Sequence, residues 1–157
     1  MKKLILLLFI PLISLSSFGQ GEVTQLMRIA KMDLEKFEVF AIDNNYKFDN
    51  FDDDENVRGL SMVRGYGDQT EYLTVYEKFY TYKYASGYQG GKQKKLPTIY
   101  KELKKLGFKL FDTSNFTNSK TGMNSYLKEY KRGNKEFIRI FIFEDGIAIE
   151  MSYEVKY

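Results

Sequence analysis

The segment over residues 137–143, Phe-Ile-Arg-Ile-Phe-Ile-Phe, constrains the fold more than any other stretch of this chain. Successive side chains of a β-strand point to opposite faces of the sheet. Three phenylalanines and Arg139 therefore fall on one side of this strand, and three isoleucines fall on the other. Most of these residues are β-branched or aromatic, the types that pack well on a pleated surface. The segment predicts a strand with one aliphatic face and one aromatic face.

The beginning of the chain has the pattern of a cleaved export signal. Two lysines precede an apolar stretch over residues 4–15, and Ser17 and Gly19 supply small side chains before a cleavage point. The apolar stretch is shorter than the roughly 20 residues of a membrane-spanning helix, which disfavours the alternative of an uncleaved anchor. We expect residues 1–19 to be removed. Residues 20–157 would then form a single exported bacterial domain, periplasmic or secreted, without a transmembrane segment.

The chain contains neither cysteine nor histidine. This excludes disulfides, lipoprotein acylation, thiolate and histidine metal sites, and catalytic triads that use either residue. Without its leader the chain has 22 basic and 21 acidic residues, so the net charge indicates neither nucleic-acid binding nor a membrane surface. With 13 Phe and 13 Tyr, an aromatic-rich core can hold the fold without cross-links.

Hydrophobic periodicity predicts two helices, over residues 22–43 and 97–106. The predicted strands are residues 46–48, 60–66, 72–84, 108–111, 126–130, 137–143 and 147–153. The acidic segment 49–56 and the segment 87–95, rich in glycine and lysine, are expected to be loops.

Two parts of the chain echo each other. Residues 72–76 match residues 137–141 face for face, and residues 46–48 resemble residues 108–110, each directly after a helix. We interpret this as a duplication within an α+β domain, in which helices pack on one face of an antiparallel sheet. The predicted helix-plus-meander units are residues 22–86 and 96–157. Chance similarity between amphipathic segments is the alternative explanation.

The predicted order of elements resembles that of exported bacterial modules such as PepSY-type and β-lactamase-inhibitor-type domains. The resemblance is one of element order, and no sequence motif supports it. Because one fold hosts many functions, it implies no particular activity.

The aromatic strand faces are the strongest candidate for a binding surface. Tyrosine can bury its ring while its hydroxyl stays in water, which suits a protein or glycan partner in the cell envelope or outside the cell. The candidate residues are Tyr72, Tyr76, Tyr80, Tyr82, Phe137, Arg139 and Phe141. Alanine at Tyr76 and Tyr80 is expected to weaken binding at an unchanged melting temperature. The alternative is that these rings form a second packed layer or pack against one another across strands.

Two charged clusters are weaker candidates. A basic patch for an anionic polysaccharide, a lipid headgroup or an acidic partner would comprise Lys92, Lys94, Lys95, Lys101, Lys104 and Lys105, although a solvated surface is the simpler interpretation. An acidic cluster comprises Asp49, Asp52, Asp53, Asp54 and Glu55. It lacks the spacing and central glycine of an EF-hand, which favours a solvated loop over a calcium site.

No spacing of residues singles out a catalytic group, a metal site or a cofactor motif. We therefore expect a non-catalytic binding or inhibitor-like module that does not bind nucleic acid. One alternative is an envelope structural protein that associates with its own copies through the aromatic face. A second is a hydrolase or lyase that uses paired carboxylates converging in a cleft.

Overall fold

The fold consists of three helices and eight strands in the part of the chain that the structure describes. This structure, a computed structural model, describes residues 21–54, 57–67, 70–78, 82–90, 95–117, 122, 124–143 and 146–154. The elements are α1 (Glu22–Ile29), α2 (Leu34–Asp43), β1 (Lys47–Asp54), β2 (Val57–Arg64), β3 (Glu71–Lys78), β4 (Tyr82–Gly90), α3 (Leu96–Lys105), β5 (Lys109–Thr117), β6 (Asn124–Arg132), β7 (Glu136–Ile142) and β8 (Gly146–Glu154). None of the described helices is long and apolar enough to cross a membrane.

All eight strands form one antiparallel sheet in the order β1-β2-β3-β4-β8-β7-β6-β5. Each half of the chain is a meander of four strands that follows helical structure, and the two meanders join where β4 pairs with β8. The predicted α+β class is therefore confirmed. The origin of the two halves by duplication stays a prediction.

The first predicted helix is two helices. The structure divides residues 22–43 into α1 and α2, because Asp33 interrupts the helical run. Its carboxylate accepts a hydrogen bond from Lys36 N at 2.8 Å and caps the amino end of α2. An aspartate in the middle of an apolar stripe therefore marks a new helix start and not a solvated position within one helix.

Several strand predictions also need correction. The strand predicted over residues 72–84 is a hairpin made by β3 and β4, so the first four residues of the loop predicted at residues 87–95 belong to β4. The acidic loop predicted at residues 49–56 is largely strand β1, which is paired to β2 over its whole length. Strand β5 continues to Thr117, beyond its predicted end. In β1, in the end of β4 and in β5, cross-strand backbone pairing overrides a local preference for turns.

The core lies between the helices and one face of the sheet, called the helix face. The predicted aliphatic residues Leu73, Val75, Ile138 and Ile140 all lie in this core, together with Phe37 of α2. Isoleucine and methionine side chains of β8 complete it in the middle of the sheet. The prediction that the aliphatic strand faces support the helices is confirmed.

Helix α1 is fastened to α3 by Glu102. The Glu102 carboxylate accepts hydrogen bonds from Val23 N at 3.1 Å, from Thr24 N at 2.8 Å and from the Thr24 hydroxyl at 2.6 Å. It thus caps the amino end of α1, where backbone N–H groups lack helical partners and a negative charge is favourable. Gly21 leaves room for it, since a Cβ there would lie 2.1 Å from the Glu102 carboxyl carbon.

The same arrangement of arginine, glutamate and aromatic ring occurs once in each half. Arg64, at the end of β2, is paired with Glu71 at 2.6 Å, donates to Asn44 O at the end of α2 and lies over the Tyr46 ring. In the second half, an arginine at the end of β6 makes the same three contacts. It pairs with a glutamate at the start of β7, donates to a backbone carbonyl at the end of α3 and lies over the aromatic ring that follows α3. Those residues are Arg132, Glu136, Leu106 and Phe108. This correspondence is a structural argument for the duplication.

Candidate functional site

The sheet face opposite the helices is the candidate site, and we call it the open face. The core cluster between helices and sheet contains none of the described residues on this face. Pairing of the strands aligns the open-face residues in rows that run across the sheet. Two rows rich in aromatic residues flank a polar row.

The upper row contains two of the predicted site residues. Its members, in order across the sheet, are Asp52, Gly59, Tyr76, Tyr84, Ser152, Phe137, Lys131 and Lys109. Tyr76 and Phe137 are half-buried. The two residues come from different halves of the chain, and the β4–β8 pairing brings them onto one surface.

The lower row contains two more predicted residues. Its members are Lys47, Val63, Tyr72, Tyr88, Ala148, Phe141, Leu127 and Ser114. Tyr72 is 38 % exposed, while Phe141 is half-buried against the Phe116 ring, with centroids 5.5 Å apart. Leu127, directly opposite Phe141, is buried although it lies outside the core cluster between the helices and the sheet. Phe141 therefore packs across strands against Phe116.

Two of the predicted aromatic residues contribute less information. Tyr80 lies outside the described residues. Tyr82 belongs to β4 and pairs with Glu154 of β8, so its backbone is at one end of the same surface. The structure thus brings together Tyr72, Tyr76, Phe137, Arg139 and Phe141.

The polar row crosses the middle of the open face. It runs through Asn50, Ser61, Thr74, Ser86, Glu150, Arg139, Glu129 and Asp112. The Ser61 and Thr74 hydroxyls are hydrogen-bonded at 2.8 Å. The guanidinium of Arg139 donates to Glu129 at 2.7 Å, although Glu150 lies directly opposite Arg139 on its other side. Arg139 therefore has an acidic residue on either side and is hydrogen-bonded only to Glu129 among the described residues.

Glu150 is a functional candidate that the sequence reasoning missed. It is half-buried near the centre of the sheet, and burial raises the pKa of its carboxyl, while Arg139 opposes that rise. The sequence contained a signal for it, since Glu150 is the acidic member of the alternating run Ile-Ala-Ile-Glu-Met. Only the sheet order shows that this position is central.

Tyr76 leans toward the edge strand β1. A Cβ at Gly59, its neighbour on β2, would lie 2.5 Å from the Tyr76 ring, so the ring covers the glycine. Beyond Gly59 in the same row lies Asp52. Burial raises the pKa of Tyr76, and the charges of Asp52 and Glu150 raise it further. Both acids are thus within electrostatic reach of the Tyr76 hydroxyl.

The predicted basic patch lies on another part of the molecule. Lys101, Lys104 and Lys105 are exposed on α3, while the buried residues of that helix face the core. Lys95 is ion-paired with Glu22 of α1. Lys92 and Lys94 lie outside the described residues. Because α3 packs on the helix face, these lysines and the open face belong to opposite sides of the sheet.

The predicted acidic cluster forms most of an edge strand. Asp49, Asp52, Asp53 and Asp54 belong to β1, and Asp53 lies 3.7 Å from Arg58; Glu55 lies outside the described residues. Among the residues that the structure describes, no group of three or more acidic side chains could hold a metal ion.

Comparison of the chain with protein-family models, with curated proteins and with solved structures yields no match.

Proposed function

We propose that this protein is an exported, non-catalytic module that binds a protein partner across the open face of its sheet. One observation supports this above all others. The described helices all pack on one side of an eight-stranded sheet, and the other side combines Tyr72, Tyr76 and Phe137 with a central polar row. Tyrosine, other aromatic residues and arginine are the types that dominate the energetics of protein interfaces.

The size of the open face favours a protein over a small glycan. Eight strands spaced about 4.8 Å apart span roughly 34 Å, and strands of this length extend about 25 Å. The resulting area, of the order of 800 Å², is close to what one partner contributes to a standard protein–protein interface. A short glycan would cover only part of it.

The proposal is tested with two matched sets of variants. Tyr72→Ala combined with Phe137→Ala removes aromatic surface from the open face. Tyr126→Ala removes a tyrosine of similar exposure, 43 % against 38 %, that pairs with Ile142 and so belongs to the helix face. Residues 20–157 of each form are used to capture partners from envelope and culture-medium extracts of the host.

We expect the open-face variant, with a cooperative thermal melt that shows it to be folded, to lose a partner that the wild type and Tyr126→Ala both capture. Equal capture by all three forms would refute the proposal. The structure changes the choice of variants from Tyr76 and Tyr80, because Tyr76 covers Gly59 and its removal would also affect stability.

Self-association is the second candidate function, and strand β5 favours it. This edge strand is exposed at all nine positions, and Leu110, Phe111 and Phe116 are each more than 40 % exposed. The other edge strand, β1, carries four aspartates, which discourage edge-to-edge pairing. In sedimentation, self-association would give a dimer that Phe111→Lys abolishes, whereas a wild type that is monomeric at all concentrations would remove this candidate.

A further inference from the structure

We infer that the second half of the chain binds an acidic polysaccharide at a site formed by Lys128 with Tyr100, Tyr126 and Tyr130, which we call the Lys128 site. The site lies on the helix face, since Lys128 pairs with Ile140 of the core. It is therefore separate from the open face and goes beyond the proposed function.

The first argument is a difference between the two halves at one equivalent position. The strands that end in Arg64 and Arg132 pair with their neighbours in the same register, and each adjoining edge strand has a bulge at the same point. Four residues before the arginine, the first half has Leu60 and the second half has Lys128. Leu60 is 6 % exposed and belongs to the core, whereas Lys128 is half-buried. A half-buried ammonium loses hydration that a leucine never had, so the needs of the core do not explain this lysine.

The second argument is the surroundings of the Lys128 ammonium. Its Nζ atom lies 4.5 Å from the centre of the Tyr100 ring and 5.8 Å from that of the Tyr126 ring. Tyr130 packs against Tyr100, with ring centroids 6.3 Å apart. Aromatic rings attract a cation at their faces but do not neutralise its charge. Within the described part of the chain Lys128 has no ion pair, so the ammonium is held in place without a counter-charge.

The third argument is access to the Lys128 site. Strand β5, which borders β6 on the outer side, is exposed at all nine positions. Its residues opposite Lys128 and Tyr126 are Thr113 and Asn115, and Tyr126 is itself 43 % exposed. Helix α3, which carries Tyr100, thus borders a shelf that is open toward the edge of the sheet, where an extended ligand has room to lie.

The chemistry of this shelf identifies the ligand. An uncompensated ammonium is complemented by an anionic group, and a carboxylate accepts charge-assisted hydrogen bonds from it. The exposed tyrosine ring offers an apolar surface to the C–H face of a sugar ring, while Thr113 and Asn115 can donate to and accept from sugar hydroxyls. A polysaccharide of uronic acids combines these features. An acidic peptide supplies the carboxylates but lacks both the sugar ring face and the hydroxyls.

The test uses an acidic oligosaccharide with two matched controls. Tetragalacturonic acid is titrated into residues 20–157, and binding is followed by calorimetry and by backbone amide shifts in NMR. Its fully methyl-esterified form is the neutral control, and tetraglutamate is the control for an acidic peptide. We expect saturable shifts around Tyr100, Tyr126 and Lys128 with the acid, and binding of either control that is weaker by about tenfold or more.

Variants locate the effect. Lys128→Leu, which copies the first half, should weaken binding of tetragalacturonic acid by about tenfold, while the melting temperature stays equal or rises. Tyr126→Ala should weaken binding by about threefold or more. Lys105→Met removes an exposed lysine that lines a depression together with Gly21 on the other flank of α3, and it should bind like the wild type.

Several outcomes would overturn the inference. These are equal binding of the acid and its ester, equally tight binding of tetraglutamate, and absence of shifts at the Lys128 site. Equal weakening by Lys105→Met would show attraction to the basic surface of α3 in general and no site at Lys128. A loss of stability in Lys128→Leu would show that the lysine serves the fold, which also contradicts the inference. Because the site lies on the helix face, Lys128→Leu should still capture the protein partner of the open face.

Discussion

The capping of α1 by Glu102 can be tested quantitatively. Glu102→Ala removes the acceptor of two backbone N–H groups and of the Thr24 hydroxyl. Loss of a side-chain cap costs about 0.5–2 kcal/mol, and loss of a negative charge at a helix amino end adds about 0.3–1 kcal/mol. We expect the free energy of unfolding to fall by about 2 kcal/mol. Because the Glu102 carboxylate joins α3 to α1, the variant should weaken the packing of α1 against α3.

The assay is urea unfolding of residues 20–157, combined with amide hydrogen exchange. Glu38→Ala is the matched control, since Glu38 is an exposed helical glutamate of α2. Thr24→Val tests the side-chain part of the cap, and its effect should shrink in the Glu102→Ala background because both changes remove the same hydrogen bond. Exchange at Val23 and Thr24 should accelerate in Glu102→Ala. The reasoning is refuted if Glu102→Ala is no less stable than Glu38→Ala, or if exchange at these two amides is unchanged.

Three further perturbations have defined outcomes. Gly59→Ala should lower the unfolding free energy by about 1–3 kcal/mol, since the Tyr76 ring must move. Urea unfolding should show a smaller loss of stability when the same change is made in a Tyr76→Ala background. An equal loss in both backgrounds would contradict the contact between Gly59 and the Tyr76 ring. Glu150→Gln should match the wild type in stability below pH 4.5, the ordinary pKa, and exceed it increasingly from there up to the raised pKa, because in that range the carboxyl ionises in the unfolded wild type and stays protonated in the folded protein. Thermal melts across this pH range check the sign, and a growing advantage of the wild type would refute it. Arg64→Lys and Arg132→Lys should each lower the free energy of unfolding in urea by about 1–2 kcal/mol. Lysine cannot at once pair with a carboxylate, donate to a helix carbonyl and lie flat on a ring. Very unequal losses of stability would argue against equivalent roles of the two arginines.

The prediction of helix α3 shows what local chemistry can determine. Pro97 lies at its start, two lysines lie in its last turn, and Gly107 follows with a φ of 82°. These preferences depend on backbone geometry within a few residues and need no tertiary contact. The first predicted helix contains the same kind of signal, because the capping aspartate Asp33 indicates that a second helix begins there.

The β3–β4 hairpin shows where local chemistry fails. Residues 72–84 alternate without interruption, so periodicity predicts one long strand, yet pairing between β3 and β4 turns the chain back between Lys78 and Tyr82. Likewise, four aspartates predict a loop over residues 49–56, but pairing with β2 makes most of this segment a strand. Backbone hydrogen bonds to a neighbouring strand outweigh propensities of about 1 kcal/mol.

The sequence by itself determined the character of the surfaces, because alternation along a strand decides which residues share a face. It therefore assigned Leu73 and Ile138 to the core, and Tyr72 and Phe137 to the other side. Only the tertiary structure decided which strands are neighbours, since pairing of β4 with β8 joins residues 56 to 72 positions apart. That pairing makes the two aromatic faces one surface and puts Glu150 at its centre. No local pattern contains this information, because strand order depends on long-range pairing.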